Sequence, residues 1–155
     1  MIRVFLGLGS NDVPEARLAQ GVGELQSRFG NLVTSPIFEN LSDDGIGPPY
    51  LNMVVGLTTG LSPADLKNQL LDVEVCCGRV RGQVACALDI DILLMGDRVG
   101  VVDGVNLPHP DILARAYVLE PLALIAPELL HPVLQQSCAC LWQAFTGPRN
   151  RKRLS

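Results

Sequence analysis

LDIDILLM, residues 88–95, alternates large apolar side chains with aspartates over its first five positions. In an extended chain successive side chains point to opposite faces, so Leu88, Ile90 and Ile92 share one side and Asp89 and Asp91 the other. The stretch reads as a strand with an apolar face for packing on helices and a second face bearing two carboxylates. Their Cα atoms lie roughly 6.5–7 Å apart. Aspartate is depleted in strands. Two in alternation fit either the solvated side of an amphipathic strand or a pair of hard oxygen ligands for divalent cations shared with a polyphosphate.

Working outward, GRVR (78–81) lies just upstream. Arg79 and Arg81 follow the glycine that ends a helix, and guanidinium groups match phosphate oxygens bidentately while staying charged. Taken alone they read as two exposed loop arginines. Glu74, one turn earlier, either orients them or faces water. The helix itself opens at Ser62-Pro63 with Asp65 in its first turn, and its buried face is Leu66, Leu70, Val73 and Cys77. Downstream, Gly96-Asp97 is a turn and VGVV (99–102) a short return strand.

Toward the N-terminus, IRVFLGLG (2–9) is a strand. From Pro14 the residues Leu18, Val22, Leu25 and Phe29 form one helix face, closed by Gly30. LVTSPIFE (32–39) is a second strand, with Pro36 marking an edge position. LSDDGIGPP (41–49) is a loop and YLNMVVGLTT (50–59) a third strand. The order β-α-β-β-α-β predicts an α+β ferredoxin-like fold, an antiparallel sheet with both helices on one face. The other face is left for solvent or a site. C-terminal helical additions follow around Ile112–Ala116, Leu119–Ile125 and Cys138–Phe145, broken by Pro121, Pro127 and Pro132.

The chain's 155 residues suit a single domain over 1–155, large enough to bury roughly 68–70% of its unfolded surface. A hydrophobic share of 48% against 18% charged excludes a disordered chain. The net charge of −4 argues against nucleic-acid binding. The basic tail Arg149, Arg151, Lys152 and Arg153, within 149–155, is expected to fray. The cysteines Cys76, Cys77, Cys86, Cys138 and Cys140 are odd in number and form no C-x-x-C, so reduced thiols are expected rather than zinc or disulfides. With no signal segment and no run of ~18 apolar residues, the expectation is a cytoplasmic protein without membrane attachment. GLGSND (7–12) lacks the third glycine of a dinucleotide fingerprint, and a P-loop is absent.

In LPHPDILARAYVLEPLALIAPEL (107–129), His109 stands between two prolines on stiff backbone, with Arg115 about a turn and a half further on. The pair fits phosphate, and a capping structural histidine fits equally well.

GLGSN (7–11), YLN (50–52), E-x-x-x-G-R-x-R (74–81), LDIDIL (88–93) and the long run from LPHP to IAP (107–127) together resemble the 6-hydroxymethyl-7,8-dihydropterin pyrophosphokinase family of folate synthesis. The resemblance spans nearly the whole chain in order. It implies transfer of a pyrophosphoryl group from MgATP to the pterin hydroxymethyl oxygen, with release of AMP. It further implies that Asp89 and Asp91 ligate two Mg²⁺, that Arg79 and Arg81 contact the phosphates, and that Glu74, His109 and Arg115 complete the ATP side. The pterin would stack between Tyr50 and Tyr117 while Asn52 reads its amide edge. A monomer is expected.

The chain also departs from the family pattern. GQVACA (82–87) replaces a longer loop with a tryptophan and an arginine, and puts Cys86 or Ala87 where that arginine is expected. NLSDDG (40–45) replaces a Thr-Pro-rich pterin loop with an acidic pair, Asp43-Asp44. Gly104 and Asn106 stand where polar or basic residues are usual. Losing a donor aimed at developing charge typically costs about 10²–10³ in kcat. The expectation is an active but slow pyrophosphokinase; the alternative is a diverged relative that binds pterin or nucleotide without efficient turnover.

Overall fold

A computed structural model describes residues 1–41, 45–78 and 87–154. The chain runs β1 (Ile2–Ser10), α1 (Pro14–Phe29), β2 (Val33–Thr34), β3 (Phe38–Asn40), β4 (Tyr50–Thr59), α2 (Pro63–Cys76) and β5 (Asp89–Met95). A hairpin of β6 (Gly100–Val102) and β7 (Val105–Leu107) follows, then α3 (Asp111–Ala114), α4 (Ala116–Ile125), α5 (Cys138–Gln143) and β8 (Lys152–Arg153). The main sheet is ordered β5-β1-β4-β3-β8, with β2 also paired to β4, and every pairing is antiparallel. The βαββαβ core has the predicted ferredoxin-like α+β fold.

The helices form where the pattern places them. Ser62 Oγ accepts from the Asp65 amide at 3.2 Å and Pro63 occupies the first turn of α2. Leu18 and Leu25 on α1, with Leu66, Leu70 and Val73 on α2, close over Val4, Leu6, Leu8, Val55, Leu88, Ile90 and Ile92. Gly21 is the close-contact point: a Cβ there would meet Leu88 Cδ2 at 2.9 Å.

Four features differ from the sequence expectation. The single strand 32–39 is two short ones, because Pro36 has no N–H to give a ladder. Ser35 bridges the break, its amide donating to the Val54 carbonyl and its Oγ accepting from the Val54 amide at 2.8 Å. The second sheet face is not free throughout. A bulge leaves Leu93 unmatched between the pairs Leu6–Ile92 and Phe5–Leu94, so Leu93 and Leu94 both join a second core with Phe5, Val54, Ile112, Leu119 and Leu122. The helix over that core begins at Ala116 and passes through Pro121 instead of breaking there. The basic tail does not fray over 149–154. Lys152 and Arg153 pair with β3, and Arg151 Nε donates to Glu120 Oε1 at 2.7 Å. Arg149 and Arg151 lie 4.3 and 5.2 Å over the Trp142 ring, an attraction between cation and π-face.

Cys76, Cys77, Cys138 and Cys140 are unbridged, and burial pushes the Cys138 thiol up to about 11, which keeps it protonated and inert. Among the described residues no helix is long and apolar enough to cross a membrane.

Candidate active site

The site lies on the part of the second sheet face that the C-terminal helices leave uncovered. Its floor follows from strand register. Gly9 is paired with Asn52 on β4 and Asp89 on β5; Gly7 is paired with Val54 and Asp91. Neighbouring strands lie about 4.8 Å apart, so Asn52 and Asp89 face each other across about 10 Å with only a glycine between. A Cβ on Gly9 would stand 3.0 Å from Asn52 Oδ1. The two glycines of GLG keep the floor low.

Over that floor is a cavity of about 430 Å³ lined by Tyr50, Asn52, Tyr117, Asp89, Asp91 and Asp111, among others. Tyr50 is the first residue of β4, and Asn52, two positions on, shares its face. Tyr117 comes from the first turn of α4, held against the sheet by the second core. Among the described residues lining this cavity there is no lysine or arginine. Three carboxylates gathered on one cavity wall suit a cation.

A second cavity of about 420 Å³ lies beside the first, between α2, β5 and the β6–β7 hairpin, and is lined by Leu70, Leu71, Glu74, Asn106 and His109. Asp89 and Asp91 line this one as well. The aspartates therefore stand on the partition between two compartments, one walled by tyrosines and a carboxamide, the other by aliphatic side chains, a glutamate and a histidine.

Glu74 does not face water. It is 3% exposed, and its Oε2 accepts the Ile90 amide at 2.9 Å. Among the described residues β5 ends the sheet, and no described strand pairs with its outer edge. Glu74 takes the amide that lies between the two aspartates and ties α2 to the strand there.

His109 is held at both ends. Its amide donates to the Leu93 carbonyl at 2.9 Å, and its Nδ1 accepts the Asp111 amide at 3.1 Å. The proton of the neutral ring is thereby set on Nε2, which lies 3.9 Å from Asp91 Oδ2. The carboxylate oxygens of Asp91 and Asp111 and a ring nitrogen of His109 lie within 4.8 Å of one another. With Nδ1 taken by the Asp111 amide and Nε2 carrying the proton, the two carboxylates are the metal donors and the ring stands beside them. Hard carboxylate oxygens dominate this donor set, and a Mg²⁺ ion fits it.

Arg115, expected beside His109, lines neither of these cavities. It borders a third, of about 850 Å³, with Arg151 and Lys152, which shares Asn40 and Tyr117 with the first. Arg79 and Arg81 lie outside the described residues, as do Asp43, Asp44 and Cys86. Ala87 is 2% exposed in the interior. Gly104 and Asn106 border the second cavity. Sequence reading assigned no role to Gly7 and Gly9 and did not single out Asn40 or Asp111. The glycines were visible within GLGSN, but only the register shows that each stands opposite an aspartate.

Residues 5–127 match the protein family described as 7,8-dihydro-6-hydroxymethylpterin-pyrophosphokinase. The chain belongs to this family. It is 34% identical over 139 residues to the 2-amino-4-hydroxy-6-hydroxymethyldihydropteridine pyrophosphokinase of Pseudomonas aeruginosa, covering 84% of both chains. Against the Haemophilus influenzae protein of the same name it is 35% identical over 141 residues, 85% of this chain and 86% of that one. Its fold superimposes on a crystal structure of Plasmodium falciparum HPPK-DHPS with a TM-score of 0.79 at 15% identity, covering 98% of this chain. The chain spans about half the length of that protein (48%), so the likeness concerns one portion of it.

Proposed function

We propose that this pyrophosphokinase-family chain moves the β,γ-pyrophosphoryl group of MgATP onto the hydroxymethyl oxygen of 6-hydroxymethyl-7,8-dihydropterin. The hydroxyl oxygen bonds to the β-phosphorus, the bond from that phosphorus to the α,β-bridging oxygen breaks, AMP leaves, and the hydroxyl proton is lost. The observation that carries this reading is the aspartate pair shared by two cavities. A transfer between two bound molecules needs its charged atoms at the boundary of their pockets, so that the reacting groups meet in line.

In this reading the pterin lies on the glycine floor, with Tyr50 and Tyr117 gripping its faces and Asn52 meeting its amide edge. The fused ring system suits the span from Asn52 to Asp89, which puts the hydroxymethyl group by the carboxylates. The nucleoside occupies the second cavity, against Leu70, Leu71 and Glu74. Asp89 and Asp91 would hold two Mg²⁺ ions, which when bound neutralise the polyphosphate and stabilise charge on the transferring group. His109, with its Nε2–H turned toward Asp91, donates to a phosphate oxygen. Arg79, Arg81 and Arg115 are assigned to the phosphates by likeness to the family. The stretch GQVACA (82–87) is shorter than the family loop and lacks its tryptophan and arginine, so turnover is slow. We further infer a cytoplasmic monomer that does not bind nucleic acid.

The test is AMP formation from MgATP and the hydroxymethyl pterin, compared with an Asp89→Asn/Asp91→Asn double variant. Equal rates from the two proteins would remove this function.

A further inference from the structure

Asn52 is not the only carboxamide at the pterin end of the site. Asn40, the last residue of β3, is 8% exposed and lines the same cavity. Its Nδ2 donates to the Leu41 carbonyl at 3.0 Å. A carbonyl only accepts, so that contact decides which end of the Asn40 amide is nitrogen. Asn40 Oδ1 is left facing Asn52, and Asn52 Nδ2 donates to it. Asn52 is oriented in turn, with its nitrogen engaged by Asn40 and its Oδ1 over Gly9. Inverting the Asn52 amide would set two oxygens against each other and leave a buried acceptor unpaired. The backbone under Asn40 is fixed from both sides, because β3 is paired with β4 and with β8.

We infer that Asn40 is a positioning residue that sets ligand specificity, locking the Asn52 carboxamide oxygen toward the cavity so that the site selects heterocycles offering an N–H donor on their amide edge. This rests on the pterin reading of the first cavity and adds to it the device that sets its polarity. Without Asn40 the Asn52 amide turns freely and presents oxygen or nitrogen alike.

The experiment titrates wild type, Asn40→Ala and Asn40→Asp with hydroxymethyl dihydropterin, with its N3-methyl derivative, which lacks the ring N–H, and with a non-hydrolysable MgATP analogue. Loss of one buried, oriented hydrogen bond predicts a pterin Kd about tenfold higher in Asn40→Ala. The preference for pterin over the N3-methyl derivative should shrink by a similar factor, while the nucleotide analogue, which also reports on folding, shifts less than about twofold. Asn40→Asp keeps an acceptor for Asn52, and water can solvate the exposed Leu41, so it should recover the preference to within about threefold. If Asn40→Ala does not melt cooperatively, Asn40→Ser, too short to reach Asn52, takes its place. An unchanged preference in the shortened variant, or equal losses for pterin and nucleotide, overturns the role of Asn40 alone. A wild-type protein that binds no pterin removes the proposed function, and this inference with it.

Discussion

The two faces of strand β5 are one residue apart in sequence and opposite in purpose. Leu88, Ile90 and Ile92 on one side are at most 8% exposed and pack beneath α1 and α2. Asp89 and Asp91 on the other side are half-buried and stand on the partition between two cavities. The first face is filled by apolar volume, which stabilises through burial and close packing. The second is built by withholding volume: Gly7 and Gly9 leave a hollow that carboxylates, a carboxamide and two tyrosines surround. One face should respond to substitution in stability, the other in ligand binding and turnover.

The sharpest break of that comparison is Asp91→Asn, which keeps shape and removes charge. AMP formation should fall by roughly 10³-fold, while the melting temperature stays within a few degrees of wild type. A variant that melts much earlier would mean that Asp91 belongs to the scaffold. On the opposite face Leu88→Ala should destabilise by about 3 kcal/mol in a urea titration, through lost burial and the cavity left under Gly21. Its kcat per folded molecule should change little.

Gly9→Ala tests the hollow itself. The added methyl meets Asn52 Oδ1 at 3.0 Å, so the carboxamide must shift. Pterin affinity should drop about tenfold with the nucleotide affinity preserved. Equal losses for both ligands would show that the floor serves only the fold.

The smallest expected effect lies outside both faces, at His131. This imidazole is 4% exposed, its Nδ1 accepts the amides of Val133 and Leu134, and burial holds its pKa below the ordinary histidine value. The unfolded chain therefore takes up the proton more readily than the folded one. The stabilisation is complete above an unfolded pKa of about 6.5 and is lost as pH falls through that value toward the folded pKa. Melting temperatures between pH 7.5 and 5.5 should decline in wild type and be flatter in His131→Asn. Parallel curves would assign the acid sensitivity to other groups.

The strand and helix order was readable from periodicity, because each element satisfies its own backbone locally and shows its buried side at a spacing of two or of three and four. Both helix faces and the alternation through Ile92 follow that rule, and the aspartate pair is visible in that alternation, whereas Tyr50, Asn52 and Tyr117 stood out only through the resemblance to the family. The tail 149–154 was misread because its ordering depends on distant partners: β3 accepts it as a strand, Glu120 pairs Arg151, and Trp142 supports two arginines. The same holds for the bulge at Leu93, which registers only against β1.

Local pattern thus determined which residues are apolar, which are charged and how they alternate, since covalent geometry alone sends neighbouring side chains to opposite sides of a strand. Only the tertiary structure decided what each side meets. Strand order put a glycine opposite each aspartate, α4 brought Tyr117 over the floor, and β3 carried Asn40 to Asn52. Those contacts join residues far apart in sequence, and their register is set by packing and by ladder hydrogen bonds that no single segment contains.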